Sequence, residues 1–236
     1  MRSLKVLVIC IVLLFVGSGI YVSDYYHAES VNQDALVSNN QVEVVTQKDR
    51  IDFVCNNSTT GLVFYPGGKV EYTAYSTLCR EFAEKGITTI LLKVPFNLAV
   101  LDVKAADSVL ADYLEIEHWM IGGHSLGGTV ASMYLADHLE EYEGLLLLGS
   151  YTSKDLSDTD LDVFCIYGSN DQIMNRENYQ KSLDKLPEGY TEYVIEGGNH
   201  SGFGDYGHQK KDGELTISSK TQKEITVDVV KSLILE

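Results

Sequence analysis

The chain of 236 residues predicts an α/β domain, a mostly parallel sheet with helices on both faces. Three observations carry this. From about residue 41 onward, apolar runs of strand length alternate with amphipathic stretches of helix length. The run GLVFYPGG does not alternate apolar with polar residues, as expected of a strand covered on both faces. The composition, 44% hydrophobic and 22% charged, is that of an ordinary globular chain.

Three regions follow along the chain. MRSLK carries two positive charges and precedes the uncharged run Val6 to Val22, so residues 1–22 read as an N-terminal membrane anchor or signal segment. Arg2 and Lys5 before the run, with Asp24 after it, orient the N-terminus to the cytoplasm and the rest of the chain outside. The expected localisation is therefore the cell membrane, single-pass and extracytoplasmic, or secreted if cleavage occurs after Ser18. Residues 23–40, polar and aperiodic, read as a tether. Residues 41–236 form the folded domain.

Within the domain, QVEVVTQ and RIDFVCN predict an antiparallel hairpin at a sheet edge. GLVFYPGG is the third strand. In EYTAYSTLCREFAEKG, Tyr75, Leu78 and Phe82 have helical spacing and Gly86 supplies the stop. ITTILLKV is a strand, LDVKAADSVLADYL a helix and HWMIGGHS a strand. A helix over Leu126 to Leu139 follows, then the strand GLLLLGS. Only a short polar stretch separates it from the strand VFCIYGSND, which leaves no room for a cap domain. RENYQKSLDKL is a helix, TEYVIEGG a strand, and the final helix places Ile225, Val229 and Leu233 on one stripe.

With 34 acidic against 18 basic residues, the net charge of −16 repels phosphate backbones, which excludes nucleic acid as an expected partner. Of the four cysteines, Cys165 lies in a core strand, and Cys55 with Cys79 leaves a disulfide open. His27, His118 and His138 have no partner at metal-ligand spacing, so no metal site is expected. HLEEYEG reads as a solvated face.

Gly123-His124-Ser125-Leu126-Gly127 is a G-x-S-x-G match leaving a strand and entering a helix. Small residues are needed there because the turn brings the serine backbone against its neighbours. The helix N-terminus directs N–H groups and positive dipole at an anion forming beside the serine. A serine hydroxyl needs a base, and the base needs an orienting group. Asp171, after VFCIYGSN, and His200, after YVIEGGN, occur late in the chain in the order Ser, Asp, His.

Through YPGG, GGHSLGG, GSNDQI and GGNHSGFGDYG, residues 42 to 236 resemble the α/β-hydrolase superfamily, and within it small capless members similar to dienelactone hydrolases. The resemblance implies the α/β-hydrolase fold and hydrolysis of carboxylic esters or related acyl compounds through an acyl-enzyme, with no cofactor. Dienelactone hydrolases use cysteine as nucleophile; here serine stands in its place, so their substrate is not carried over. In this reading Ser125 attacks, His200 is base and then acid, and Asp171 orients His200. The oxyanion takes N–H groups from Leu126 and from the PGG turn, where Gly68 is the choice and Lys69 the alternative. Pro66 replaces the histidine common at that turn.

Blander readings stand beside these. Ser125 reads also as a tight turn in a non-catalytic protein, Asp171 as a helix cap with Asp158 or Asp160 as the acid, and His200 as a loop histidine with His208 as the base. His124 reads as packing or lining, and Asp205 and Tyr206 as pocket lining or ordinary loop. The expected partner is a small-molecule or surface-presented acyl substrate at an open, shallow site. The rival from another class is a catalytically silent hydrolase-fold binding protein at the outer membrane surface of the cell; a membrane-tethered scaffold is a third.

Overall fold

The computed structural model describes residue 19 and residues 22–234. The apolar run expected to reach or cross a membrane lies outside the described residues apart from Gly19 and Val22. Among the described residues no helix is long and apolar enough to cross a membrane.

Eight strands form one sheet: β1 (Val42–Thr46), β2 (Arg50–Cys55), β3 (Thr60–Tyr65), β4 (Ile87–Leu92), β5 (His118–His124), β6 (Gly144–Leu148), β7 (Asp162–Gly168) and β8 (Thr191–Ile195). Their spatial order is β1-β2-β4-β3-β5-β6-β7-β8. β1 and β2 form the expected antiparallel edge hairpin, β2 pairs antiparallel with β4, and every other pairing is parallel.

The unbroken apolar runs follow from coverage on both sides. On one face Val63, Tyr65, Leu145 and Leu147 pack with Val130, Ala131 and Leu135 of α3 (Leu126–Leu135) and Tyr179 of α4 (Arg176–Leu183). On the other, Leu62, Phe64, Leu146 and Leu148 pack with Leu78, Cys79 and Phe82 of α2 (Ser76–Glu84) and Val227 and Val230 of α5 (Ser219–Ile234). Successive strand residues point to opposite faces, so both parities must be apolar. Cys55, Cys79 and Cys165 are free thiols.

Four expectations are corrected. LDVKAADSVLADYL is a chain of turns and short 3₁₀ segments, Ala99–Leu101 and Leu110–Asp112, closed by i→i+3 bonds such as Asp107 N–H to Lys104 O and Val109 N–H to Ala106 O. Tertiary anchors override its helical spacing. Tyr65 Oη donates to Val103 O at 2.5 Å, and Asp112 pairs with the buried Arg50. Leu101 and Leu114, counted in the helical pattern, are exposed. Helix α3 ends at Leu135, where His138 Nδ1–H donates to Tyr134 O at 2.7 Å and satisfies a terminal carbonyl.

On α5 the buried face runs through Gln222, Lys223, Thr226, Val227 and Val230, with Ile225 and Val229 only half-buried. The stretch read as a tether packs onto the domain. Tyr26 N–H donates to Lys69 O and Glu71 N–H to Tyr26 O, each at 2.8 Å. The short helix α1 (Val31–Ala35) buries Asn32 and Ala35, and Arg80 donates to Ala35 O at 3.0 Å and to Val37 O at 2.6 Å.

Candidate active site

β5 ends at His124 and α3 begins at Leu126, which places Ser125 alone at the turn with φ 52° and ψ −123°. A non-glycine residue in that region is strained and must be held by its surroundings. Ser125 N–H donates to Leu148 O at 2.9 Å, and Ser150 Oγ donates to Ser125 O at 2.6 Å, which ties the turn to the strand beside it and its exit. The glycines are required by space. A Cβ on Gly123 would lie 2.5 Å from Tyr65 O, and one on Gly127 2.3 Å from the same atom. The first N–H groups of α3, Leu126 among them, have no intrahelical acceptor and point their dipole toward Ser125.

The turn after β3 lies against this helix start: a Cβ on Gly68 would meet Leu126 Cδ2 at 2.8 Å. Pro66 has no N–H, Gly67 N–H donates to Tyr75 Oη at 3.2 Å, and Lys69 N–H donates to Asn97 O at 2.7 Å. Of the two donors weighed for this turn, Lys69 is therefore already engaged, and Gly68 sits beside Leu126.

Asp171 follows β7 and is buried. Its Oδ2 accepts His200 Nδ1–H at 2.8 Å, and its Oδ1 accepts the Ile173 and Met174 N–H groups at 2.9 Å each. Both readings of Asp171 thus describe part of it, since one oxygen closes the turn and the other holds His200; the N-cap of α4 is Asn175. Burial raises the Asp171 carboxyl, but the His200 hydrogen bond and charge, with the two backbone donors, outweigh it, so the net displacement is downward. The carboxylate is the favoured form beside the imidazole.

Asp158 and Asp160 are exposed and line surface depressions beside the start of β7, about 20 Å along the strand from Asp171. His208 is exposed and lines a cavity of about 180 Å³ with Glu29, Asn199, Ser201 and Ser219. Ser125 lines neither these depressions nor this cavity.

His200 is buried, and its Nε2 makes no hydrogen bond, so a Ser125–His200 bond is not closed in this conformation. Its ring lies against that of His124, with centroids 4.4 Å apart. His124 is held far below the ordinary histidine range by burial first and then by the charge of His200, with the His200 main-chain carbonyl pulling the other way. It is neutral, and its Nδ1 is 2.8 Å from Tyr75 Oη. Tyr75 Oη also accepts Gly67 N–H, so a buried chain links the turn after β3 to the ring beside His200.

Other members of the site carried no sequence signal. Gly149, at φ 51°, leaves no room for a side chain: a Cβ there would lie 2.9 Å from His200 Nδ1 and 3.1 Å from Asp171 Oδ2. Asp212 binds the His200 loop through its carboxylate, which accepts Ser201 N–H at 2.8 Å, Ser201 Oγ–H at 2.9 Å and His200 N–H at 3.3 Å. Gln222 of α5 brackets Asn199, accepting its N–H at 3.0 Å and donating to its carbonyl at 2.8 Å. Asp205 pairs with Lys223 at 2.5 Å and lines the same cavity as His208, whereas Tyr206 packs on Tyr26 and Tyr75.

An open α/β sheet with a strained serine between strand and helix, and a histidine–carboxylate pair on loops after the last two strands, defines the class of α/β-sheet hydrolases. The sequence profile of the α/β hydrolase family matches residues 61–224, and the chain belongs to that family and is a hydrolase. No curated protein sequence matches significantly. Among solved structures, TT1662 from Thermus thermophilus is similar at 14% identity and TM-score 0.60, over 81% of this chain and 98% of that one. A dienelactone hydrolase from Anabaena variabilis is similar at 15% identity and TM-score 0.59, over 83% and 98%. The esterase domain of a Rhodothermus marinus protein is similar at 13% identity and TM-score 0.59, over 82% and 97%. At these identities the likeness concerns the fold, here without a cap domain.

Proposed function

We propose that this hydrolase cleaves carboxylic esters or related acyl compounds through a Ser125 acyl-enzyme. The observation that carries the reading is the strained Ser125 turn together with the 2.8 Å Asp171–His200 hydrogen bond. Ser125 Oγ attacks the acyl carbonyl while His200 Nε2 takes the hydroxyl proton, and the carbonyl oxygen gains the negative charge. Leu126 and Gly68 N–H groups donate to that oxygen; one such donor is typically worth about 10²–10³ in turnover. Collapse of the tetrahedral intermediate breaks the bond to the alcohol, which leaves with the proton from His200. Water then repeats the sequence, giving up a proton to His200 and releasing the acid as Ser125 is reprotonated.

Asp171 keeps the His200 proton on Nδ1, which leaves Nε2 as the basic nitrogen, and stabilises the imidazolium that forms. The absent Ser125–His200 bond fits a substrate-free site, since such bonds often tighten only around the substrate. Burial of His200 Nε2 keeps bulk water from competing for it.

In the same reading the N-terminal apolar run holds the domain at the outer side of a membrane, where small or surface-presented acyl groups reach an uncapped site. The test is hydrolysis of p-nitrophenyl esters by the wild type and Ser125→Ala. Turnover that collapses in the variant is the expected result; equal turnover in both proteins overturns the assignment.

A further inference from the structure

The segment from Val94 to Leu101, VPFNLAVL, has no charged residue in a chain of net charge −16. It leaves β4 and carries two consecutive non-glycine residues in the left-handed region: Phe96 has φ 54° and ψ 25°, and Asn97 has φ 55°. Asparagine adopts this region with modest strain, but a bulky aromatic residue there is an outlier. Such a conformation persists only where the surrounding structure imposes it, and it is a pointer to function.

The constraints are visible. Asn97 O accepts Lys69 N–H at 2.7 Å, Leu98 N–H donates to Pro95 O at 3.0 Å, and Ala99 is fully buried. The Ala99–Leu101 turn packs against α3, the helix that starts at the Ser125 turn. The loop is thus fastened on one side to the residue following Gly68 and on the other to the helix that presents Leu126.

This anchoring turns apolar side chains outward. Phe96 is 63% exposed, Leu101 57% and Val100 49%. Burying them would favour folding, so the strained loop works against that gain and presents an uncharged apolar surface beside the proposed oxyanion donors. The Lys69–Asn97 bond holds the loop one residue from Gly68, so the loop borders the position of a carbonyl oxygen held by Leu126 and Gly68.

We propose that Phe96, Val100 and Leu101 form a binding ledge for the aliphatic acyl chain of the substrate, which makes esters of medium-chain acids the preferred class. The inference rests on the ester-hydrolase reading for its chemistry, while the ledge itself is a binding surface that can be measured without turnover. A fully buried methylene contributes about 0.8 kcal/mol, roughly fourfold in affinity; a ledge that covers one side of the chain gives about half that energy, or twofold per methylene. From acetate to hexanoate, four methylenes, the expected gain in kcat/KM is therefore about 16-fold.

Two measurements on the full-length protein test this. In the first, Ser125→Ala is titrated calorimetrically with ethyl octanoate and ethyl acetate, alone and with Phe96→Gly or Leu101→Ser added. Phe96→Gly relieves the left-handed strain, so it removes the side chain without opposing folding. The expected result is that octanoate binds at least tenfold tighter than acetate and that either added change removes most of that difference. Equal binding of the two esters, or octanoate binding unaffected by both changes, overturns the ledge.

In the second, kcat/KM is measured for p-nitrophenyl esters from acetate to octanoate, with the wild type and the same two single variants. A rise with chain length in the wild type that flattens in both variants supports the ledge. A flat wild-type profile, or an equal fall on acetate and octanoate, overturns it. If no ester is hydrolysed but octanoate binds in a Phe96-dependent way, the ledge stands and the nucleophile assignment falls.

Discussion

Gly149→Ala places one methyl group against the His–Asp pair and leaves every reacting group in the chain. Two effects can be sized. At φ 51° an alanine is in the left-handed region, which costs about 1–2 kcal/mol. Its Cβ would stand 2.9 Å from His200 Nδ1, 3.1 Å from Asp171 Oδ2 and 3.3 Å from His200 Cε1. Ordinary contacts begin near 3.4 Å, so the imidazole must retreat by about half an ångström or the pair must part. Displacements approaching 1 Å in a catalytic constellation can cost about 10²-fold in rate. We expect kcat for p-nitrophenyl acetate to fall by about 10–10², with KM little changed, since the methyl group touches the base and acid rather than the acyl surface. Circular dichroism and a thermal melt check that the variant is folded and has lost no more than about 2 kcal/mol. A folded Gly149→Ala protein with wild-type kcat would refute the assignment of His200 and Asp171 as the working pair.

Tyr75→Phe removes the buried hydroxyl that accepts Gly67 N–H and reaches His124; the stranded donor costs about 1–3 kcal/mol, and the melting temperature should fall by several degrees. An unchanged melt contradicts the chain. Asp212→Ala strips acceptors from Ser201 and His200, so both stability and kcat should fall, and more than in Asp212→Asn, which keeps one acceptor oxygen; equal behaviour of the two variants contradicts a positioning role. Glu81 is raised to about 7, by burial first, with Lys223 opposing and Glu224, Asp205 and Glu84 adding like charge. A carboxyl whose folded pKa is raised favours folding least once ionised, so stability is lost as pH climbs from the ordinary carboxylate range through about 7. Discounted for partial solvent exposure, Glu81→Gln should stabilise by about 1–2 kcal/mol at pH 8 and little at pH 4, compared by thermal melts; an equal effect at both pH values contradicts this.

What could be read from residues alone follows from how locally each feature is determined. The strands were legible because coverage on both faces demands apolar residues at consecutive positions, as in Leu145 to Leu148. The Ser125 turn was legible because Gly123 and Gly127 leave under 3 Å for a Cβ, a demand that shows as glycine in the sequence. Asp171 and His200 follow strand ends, where the order of strands already points to them.

The support around them is non-local. Asp212 looks like a surface turn in KKDGEL until the fold brings it to His200. Counting apolar residues misplaced the buried stripe of α5 because Gln222 and Lys223 are inside, and they are tolerated there only through Asn199 and Asp205. The stretch 23–40 looked polar because its hold on the domain is mainly backbone hydrogen bonding, to Lys69, Glu71 and Asp205, which leaves no hydrophobic period. The left-handed Phe96 has no composition signal at all. It is set by an anchor on each side.

The central claim is that Ser125 is the nucleophile and that His200 activates it. The direct measurement is to expose the folded protein to a fluorophosphonate and locate the adduct by peptide mass spectrometry. The account predicts a single phosphonylated serine, Ser125, in the wild type, with the adduct absent in Ser125→Ala and formed at least 10²-fold more slowly in His200→Ala. A folded wild type that stays unmodified, or one modified at another serine with Ser125 untouched, would contradict it.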